Sequence, residues 1–225
     1  MKYSRTISGT FISRPNRFIA HVEIDGKVHI CHVKNTGRCR ELLVEGVRVI
    51  LEESDNPDRK TKYDLVAVYK GDMLINIDSQ APNKVVGEWL KEGHLGEVTL
   101  IKPECVFGNS RFDFYFEADG KRAFAEVKGV TLEENGVVMF PDAPTERGVK
   151  HLAELERAVQ AGYEAYAIFV IQMEKCTCFT PNKKTHPEFA KALKSASSNG
   201  VKILAYSCSV TEDSLSVYRP VDIIL

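Results

Sequence analysis

Arg111-Phe112-Asp113-Phe114-Tyr115-Phe116-Glu117, then Ala118-Asp119-Gly120-Lys121, then Arg122-Ala123-Phe124-Ala125-Glu126-Val127-Lys128, is the stretch that decides how this chain is read. Asp-Gly between two alternating runs signals a two-residue hairpin turn. With Asp119 and Gly120 at the turn, Asp113 falls opposite Glu126 and Arg111 opposite Lys128. Side chains alternate between the faces of a strand. One face then carries Phe112, Phe114 and Phe116 against Val127, Ala125 and Ala123, which is a core face. The other carries Arg111, Asp113, Tyr115 and Glu117 against Lys128, Glu126, Phe124 and Arg122.

Directly opposed residues place their β-carbons roughly 4.5–5.5 Å apart. Two carboxylates that close repel each other unless a proton or a cation lies between them. They suit a hard divalent cation, Mg²⁺ or Mn²⁺, which takes oxygen ligands and keeps several waters. Such an ion acidifies a bound water and polarises a phosphoryl oxygen. Lys128 shares the face and is placed to orient the water or offset phosphate charge. The plain alternative is a solvated strand face with diagonal ion pairs. Glu-x-Lys alone is common; its placement on paired strands with an apolar reverse face gives it weight.

Around the hairpin, the chain has 225 residues, 44% hydrophobic and 27% charged. That is an ordinary globular composition, sized for one large domain or two modest ones. The net charge of −1 hides an asymmetry, because residues 1–40 hold eight Lys/Arg against Glu23 and Asp25. A basic opening segment in a neutral protein points to an anionic partner. The six cysteines include no C-x-x-C pair. No secretory leader or apolar run of spanning length is read, so reduced thiols, a cytoplasmic location and no membrane are expected.

Residues 1–80 read as short strands: Phe18 to Ile24 and Lys27 to Val33 around Asp25-Gly26, then Val44 to Glu52, Tyr63 to Tyr69 and Met73 to Ile77. Five or so strands without a long helix suggest a small barrel. Residues 81–225 read as α/β with a mixed sheet. Asn83 is expected to cap a helix carrying Val85, Val86, Trp89 and Leu90, ended by Gly93. Strands follow at about 98–107, 111–117, 123–132 and 137–140. A helix after Pro144-Thr145 has the apolar stripe Val149, Leu152, Leu155 and Val159. Glu164 to Gln172 reads as a buried central strand, followed by a helix at about 187–198 and a strand at 201–210.

Asp113…Glu126-Val127-Lys128 on a hairpin followed by a helix resembles the PD-(D/E)xK nuclease core. Asn35-Thr36-Gly37-Arg38, Asp64-Leu65-Val66-Ala67, Gly108-Asn109-Ser110-Arg111, Glu126-Val127-Lys128, Phe140-Pro141-Asp142-Ala143 and Arg147-Gly148-x-Lys150-His151-Leu152 occur in this order. Together they resemble the sugar fermentation stimulation protein (SfsA) family over nearly the whole chain. Cys39, Met173-Glu174 and His186 depart from the family pattern at peripheral positions. The resemblance implies a two-domain α+β/α/β protein, with an N-terminal OB-like barrel before a restriction-endonuclease-like mixed sheet with flanking helices. It also implies DNA binding and a DNA/RNA nuclease assignment resting partly on the fold. The competing expectation is a DNA-binding regulator of sugar metabolism genes whose nuclease fold no longer cuts.

Other expected site residues follow. Arg147, Lys150, His151 and Glu154 share one helix side; His151 is a candidate proton shuttle and Lys150 a phosphate contact. The bland reading is a solvated face with a Lys150–Glu154 pair. Glu104 is the candidate third metal ligand, ahead of Glu88, which suits an ion pair with Lys84. Lys34, Asn35, Arg38 and Arg40 form a turn suited to phosphate. Arg59, Lys60 and Lys62 surround Tyr63, an aromatic able to stack on a base; Arg111 completes the nucleic-acid set. DNA is the expected partner and RNA a further one. The sequence leaves oligomeric state open, a homodimer included.

Overall fold

The computed structural model describes residues 1–35 and 37–225. Thr36 of the Asn-Thr-Gly-Arg string lies outside the described residues. The first strands are β1 (Thr6–Ser13), β2 (Ile19–Ile24), β3 (Lys27–Val33), β4 (Arg48–Glu53), β5 (Tyr63–Lys70) and β6 (Met73–Asn76). They run in the order β3-β2-β1-β4-β5-β6, and β3 also pairs with β5. That extra pairing closes five strands into a barrel and removes its open edges. Val22, Cys31, Val49, Leu51, Leu65 and Val68 fill its interior.

The chain continues through α1 (Ala81–Lys91), β7 (Val98–Phe107), β8 (Ser110–Ala118), β9 (Lys121–Val130), β10 (Leu132–Glu134), β11 (Val137–Phe140), α2 (Glu146–Gln160) and β12 (Glu164–Ile171). It ends with β13 (Cys178–Pro181), α3 (Pro187–Ser198), β14 (Lys202–Val210), β15 (Leu215–Pro220) and β16 (Asp222–Ile223). The main sheet has the order β15-β14-β12-β9-β8-β7, and a second sheet the order β10-β11-β13-β16. β9, β12 and β14 are parallel, and β7, β8 and β15 are antiparallel to their neighbours. This is a mixed sheet with the charged hairpin beside its centre.

α1 covers one face of that sheet. Val85, Val86, Trp89 and Leu90 pack on Phe114, Phe116, Ala125 and Ile168. α2 and α3 cover the other, where Leu152, Leu155 and Phe189 meet Ala165, Ala167 and Phe169. β12 lies between the two layers, which is why Glu164 to Gln172 is apolar on both faces.

Several elements differ from the sequence expectation. β4 begins at Arg48, not Val44, because residues 42–47 form turns. β1 escaped notice because Gly9 and its serines and threonines dilute the apolar alternation. Gly9 is there for packing, since a β-carbon would sit 2.6 Å from Val22 Cγ1. Asn83 does not cap α1. Gln80 is the N-cap and proline occupies the first turn, so Asn83 lies inside the helix with its side chain free for another use. α2 starts directly after Thr145 as expected, and Thr145 caps it, its hydroxyl accepting the Gly148 N–H at 3.1 Å.

A polar seam joins the barrel to the end of β12 in the main sheet. Gln172 Nε2 donates to Asn76 Oδ1 at 2.9 Å and to the Asp78 carbonyl at 3.0 Å. Asn76 Nδ2 donates to the Tyr3 hydroxyl at 2.8 Å. All four side chains are buried, so each bond broken would leave an unpaired polar group out of water.

Candidate active site

Asp113 sits where β8 parts from β9. Their ladder runs from Ala118↔Lys121 to Phe114↔Ala125, in the register set by the Asp-Gly turn, and ends there. One residue on, the Asp113 carboxylate takes the place of a backbone acceptor: Oδ2 accepts the Val127 N–H at 2.7 Å. Oδ1 accepts from Asn83 Nδ2 on α1 at 2.9 Å.

The far side of β8 is irregular at the same level. β7 pairs Pro103 with Phe114 and Cys105 with Phe112, while Glu104 between them has φ 54°. Strict alternation therefore fails. Phe112, expected beside Phe114 and Phe116, turns instead to the α2 face. There its ring centroid is 5.5 Å from Phe124 and 6.0 Å from His151. The two strand breaks that redirect Phe112 also free Asp113 from the ladder.

Glu126 is 4% exposed, at the foot of α2. Its Oε1 is contacted by the Lys128 ammonium and lies 2.5 Å from His151 Nδ1. Oε2 is buried with no hydrogen-bond partner among the described residues. Arg147 Nε donates to His151 Nε2 at 3.3 Å, which assigns the proton of the neutral ring to Nδ1, on the Glu126 side. The approach of Nδ1 to Oε1 is an ion-pair distance without good N–H bond geometry.

The two carboxylates are driven apart electrostatically. Burial and the Glu126 charge push the Asp113 carboxyl above its usual range, against the Val127 and Asn83 bonds. Burial alone would raise Glu126 too, but His151 and Lys128 outweigh it and hold the carboxyl below its usual range. Opposite shifts in neighbouring acids are a recurring feature of functional sites.

The expected site residues divide. Asp113, Glu126, Lys128 and His151 come together. Glu104 does not, because its exposed carboxylate faces outward, 3.5 Å from Arg111. Among the described residues, no three His, Cys, Asp or Glu side chains form a ready cage for a metal. Glu88 is bonded to the Met1 ammonium at 2.6 Å, not to Lys84. His151 and Glu154 are buried, and Glu154 pairs with Arg157, so the solvated-face reading of α2 fails for both.

The cations divide too. Lys34 is enclosed by Glu52 at 2.9 Å, Asp64 at 3.2 Å and Asp78 at 3.7 Å. Arg59 grips Asp64 with both terminal nitrogens, at 2.9 and 2.6 Å. Lys62 pairs with Glu53 at 3.0 Å. Asn35 is a turn brace, donating to the Ile77 carbonyl and accepting the Gly37 N–H. Arg38, Arg40 and Lys60 are exposed. Arg38 and Arg40 line a cleft of about 690 Å³ at the barrel lip, with Arg14 and Arg17. Arg14 is spent on the carbonyls of Arg17, Asn35, Gly37 and Arg38. Arg111, Arg147 and Lys150 border a second cleft, of about 480 Å³, that reaches His151.

Sequence reading missed Asn83, mistaken for a cap, and Arg17, which carries no motif. Only the place of Asn83 directly after Pro82, within the first turn of the helix, hinted that it was not the cap.

A closed barrel followed by a mixed sheet with a Glu-x-Lys strand defines an OB domain joined to a nuclease-like domain. Residues 12–77 match the family model "SfsA N-terminal OB domain", and residues 80–214 match "Sugar fermentation stimulation protein RE domain". The chain belongs to the sugar fermentation stimulation protein (SfsA) family. It is 65% identical over 215 residues to a homologue from Desulfitobacterium hafniense (strain Y51), covering 96% of this chain and 94% of that one. It is 59% identical to a Clostridium beijerinckii homologue, covering 100% of both. SfsA from Pyrococcus furiosus, solved in complex with Ca²⁺, superposes with a TM-score of 0.88 at 27% identity, over 100% of this chain and 98% of that one. Among the described residues, no helix is long and apolar enough to cross a membrane.

Proposed function

We propose that this protein binds nucleic acid and hydrolyses phosphodiester bonds at Asp113 and Glu126, with Mg²⁺ or Mn²⁺ as cofactor. The observation that carries the reading is the buried Glu126 Oε2, which has no partner among the described residues and is within electrostatic reach of the half-buried Asp113 carboxylate. A buried, ionised oxygen without a donor costs several kcal/mol unless a cation meets it. The donor set, two carboxylates, is that of a hard divalent ion, which brings waters of its own. The Ca²⁺ in the Pyrococcus furiosus relative supports the same class of ion.

When bound there, such an ion supplies an acidified water and a polarised phosphoryl oxygen. The chain's own residues supply the rest. Asp113 is oriented from two sides, by Asn83 and by the Val127 N–H. Glu126 is kept ionised by Lys128 and His151. Lys128 is then placed to turn from Glu126 towards an entering phosphate and offset its charge. His151 carries the neutral ring's proton on Nδ1, beside Glu126, and could take up a further proton only at Nε2, where Arg147 now donates. Arg38 and Arg40 on the barrel, with Arg111 and Lys150 on the cleft that reaches His151, contact phosphates.

The test is cleavage of single- and double-stranded DNA and RNA with Mg²⁺, Mn²⁺ or chelator, in wild type, Asp113→Asn and Glu126→Gln. Metal-dependent cutting, lost in both variants while binding persists, supports the reading. Cutting that survives both substitutions removes this site. Binding without cutting in either metal leaves a nucleic-acid-binding regulator on an inactive nuclease fold.

A further inference from the structure

A cleft of about 340 Å³ opens between Asn35 and Gly37 of the barrel on one side and the β11–α2 loop on the other. Gly129 and Val130 form part of its floor, and they directly follow Lys128 in β9. One part of its wall is apolar, made by Leu132, Met139, Phe140 and Pro141, while Asn35, Ser79 and Gln172 make another part polar. Thr131 and the exposed Asp142 add a polar edge. Gly37 and Ala143 line both this cleft and the arginine cleft at the barrel lip, so the two are continuous. Thr145 lines it too, and the next residue, Glu146, lines the cleft of Arg111 and Lys150.

The chemistry changes along this path. The outer clefts offer guanidinium and ammonium groups, which suit phosphates. The middle one combines an apolar wall with neutral polar groups and one carboxylate, and it has no cation in its lining to receive a phosphate. A slot that sets an apolar wall beside hydrogen-bonding groups suits a flat organic ring with a polar edge. We infer that the middle cleft is a nucleobase pocket, taking one unstacked base of a single strand whose flanking phosphates lie on Arg38 and Arg40 at one end and Arg111 and Lys150 at the other. This rests on the nucleic-acid reading above and adds the strandedness of the substrate and a residue that reads it. In a duplex every base is stacked and its pairing edge is covered, so entry demands extrusion. A single strand escapes that cost. Asp142 accepts hydrogen bonds but donates none. It therefore favours guanine, whose pairing edge presents two adjacent N–H donors, over thymine, whose single N–H is flanked by carbonyls.

The test is fluorescence anisotropy in chelator, so that binding is read without cutting. The probes are a labelled all-dT 12-mer, the same strand with one central dG, and that strand annealed to its complement. The single strands are expected to bind at least about tenfold tighter than the duplex, the scale of one lost base contact. The dG strand is expected to bind several-fold tighter than all-dT, and Asp142→Ala to erase that difference. Leu132→Trp, which fills the slot, is expected to weaken single-strand binding about tenfold and to leave duplex binding within twofold. Met139→Trp, from the cross-strand neighbour of Leu132, serves if Leu132→Trp does not fold by circular dichroism. Equal affinity for single strand and duplex, or a full slot with no effect on single strands, overturns the pocket. If cleavage still depends on Asp113 and Glu126 in that event, the catalytic reading stands without it. If no probe binds at all, both fall.

Discussion

Asn83 in the first turn of α1 donates to Asp113 Oδ1 across 2.9 Å, tying the orientation of a carboxylate in the sheet to a helix on the opposite layer. The Val127 N–H fixes the other oxygen. Partners of this kind set the aim of a ligand without touching the metal, and their loss commonly costs about 10–100-fold in affinity. Asn83→Ala is therefore expected to weaken Mn²⁺ binding about tenfold, by calorimetry or electron paramagnetic resonance, with the fold intact. Affinity equal to wild type would mean that Asn83 only braces the helix.

A second expectation concerns acid. Burial would raise the Asp64 carboxyl, but the paired bonds from Arg59, the Lys34 ammonium and the His32 contact outweigh it and hold it down to about 2. A carboxyl depressed in the folded state stabilises it above the unfolded value of about 4, and that stability is lost as pH falls towards about 2. The difference amounts to roughly 2 kcal/mol. The unfolding free energy of Asp64→Asn in urea is expected to fall below wild type at pH 7 by about that amount, and the two to converge only as pH approaches about 2. A gap that stays constant with pH would show that packing, not charge, sets the effect.

The hairpin was the most legible part of the chain, because a two-residue turn leaves only one register and the register assigns the faces. Asp113, Glu126 and Lys128 followed from it. What could not be read was where the ladder stops. Nothing in the one-letter string marks Glu104 as left-handed or Asp113 as a substitute for a backbone acceptor, so the reversal of Phe112 was invisible. The basic opening segment misled in another way. Composition counts charges but does not show which are already paired, and Lys34, Arg59 and Lys62 are each paired with acids distant in the alternation of the strands. The clefts, being made by loops far apart in sequence, had no local signature.

That division of the cations makes a third expectation. Arg38→Ala and Arg40→Ala should each weaken oligonucleotide binding and lower the slope of log affinity against log salt by about one charge. Arg59→Ala and Lys62→Ala should leave the slope unchanged. Arg59→Ala should instead lower thermal stability, since it strips the buried Asp64 of its two-bond partner. A salt titration across the four variants checks this. A reduced slope in Arg59→Ala would place that side chain on the nucleic acid after all.

Gly129, immediately after Lys128, has no room for a side chain. A β-carbon there would lie 2.5 Å from Gln172 Oε1 and 2.9 Å from Pro82 Cγ. Neither neighbour can yield easily. Gln172 is held through its amide nitrogen by Asn76 and the Asp78 carbonyl, and Pro82 is a rigid ring in the first turn of the helix that carries Asn83. Overpacking of this kind costs typically about 1–3 kcal/mol. Gly129→Ala is expected to lower stability by that amount and, by pushing α1 outward, to lengthen the Asn83–Asp113 bond and weaken Mn²⁺ binding along with it. Chemical denaturation and metal titration of the same variant separate the two consequences. Because the clash falls on both a seam residue and the helix that aims Asp113, stability lost without any change in metal affinity would show that Gln172 alone absorbs the added carbon.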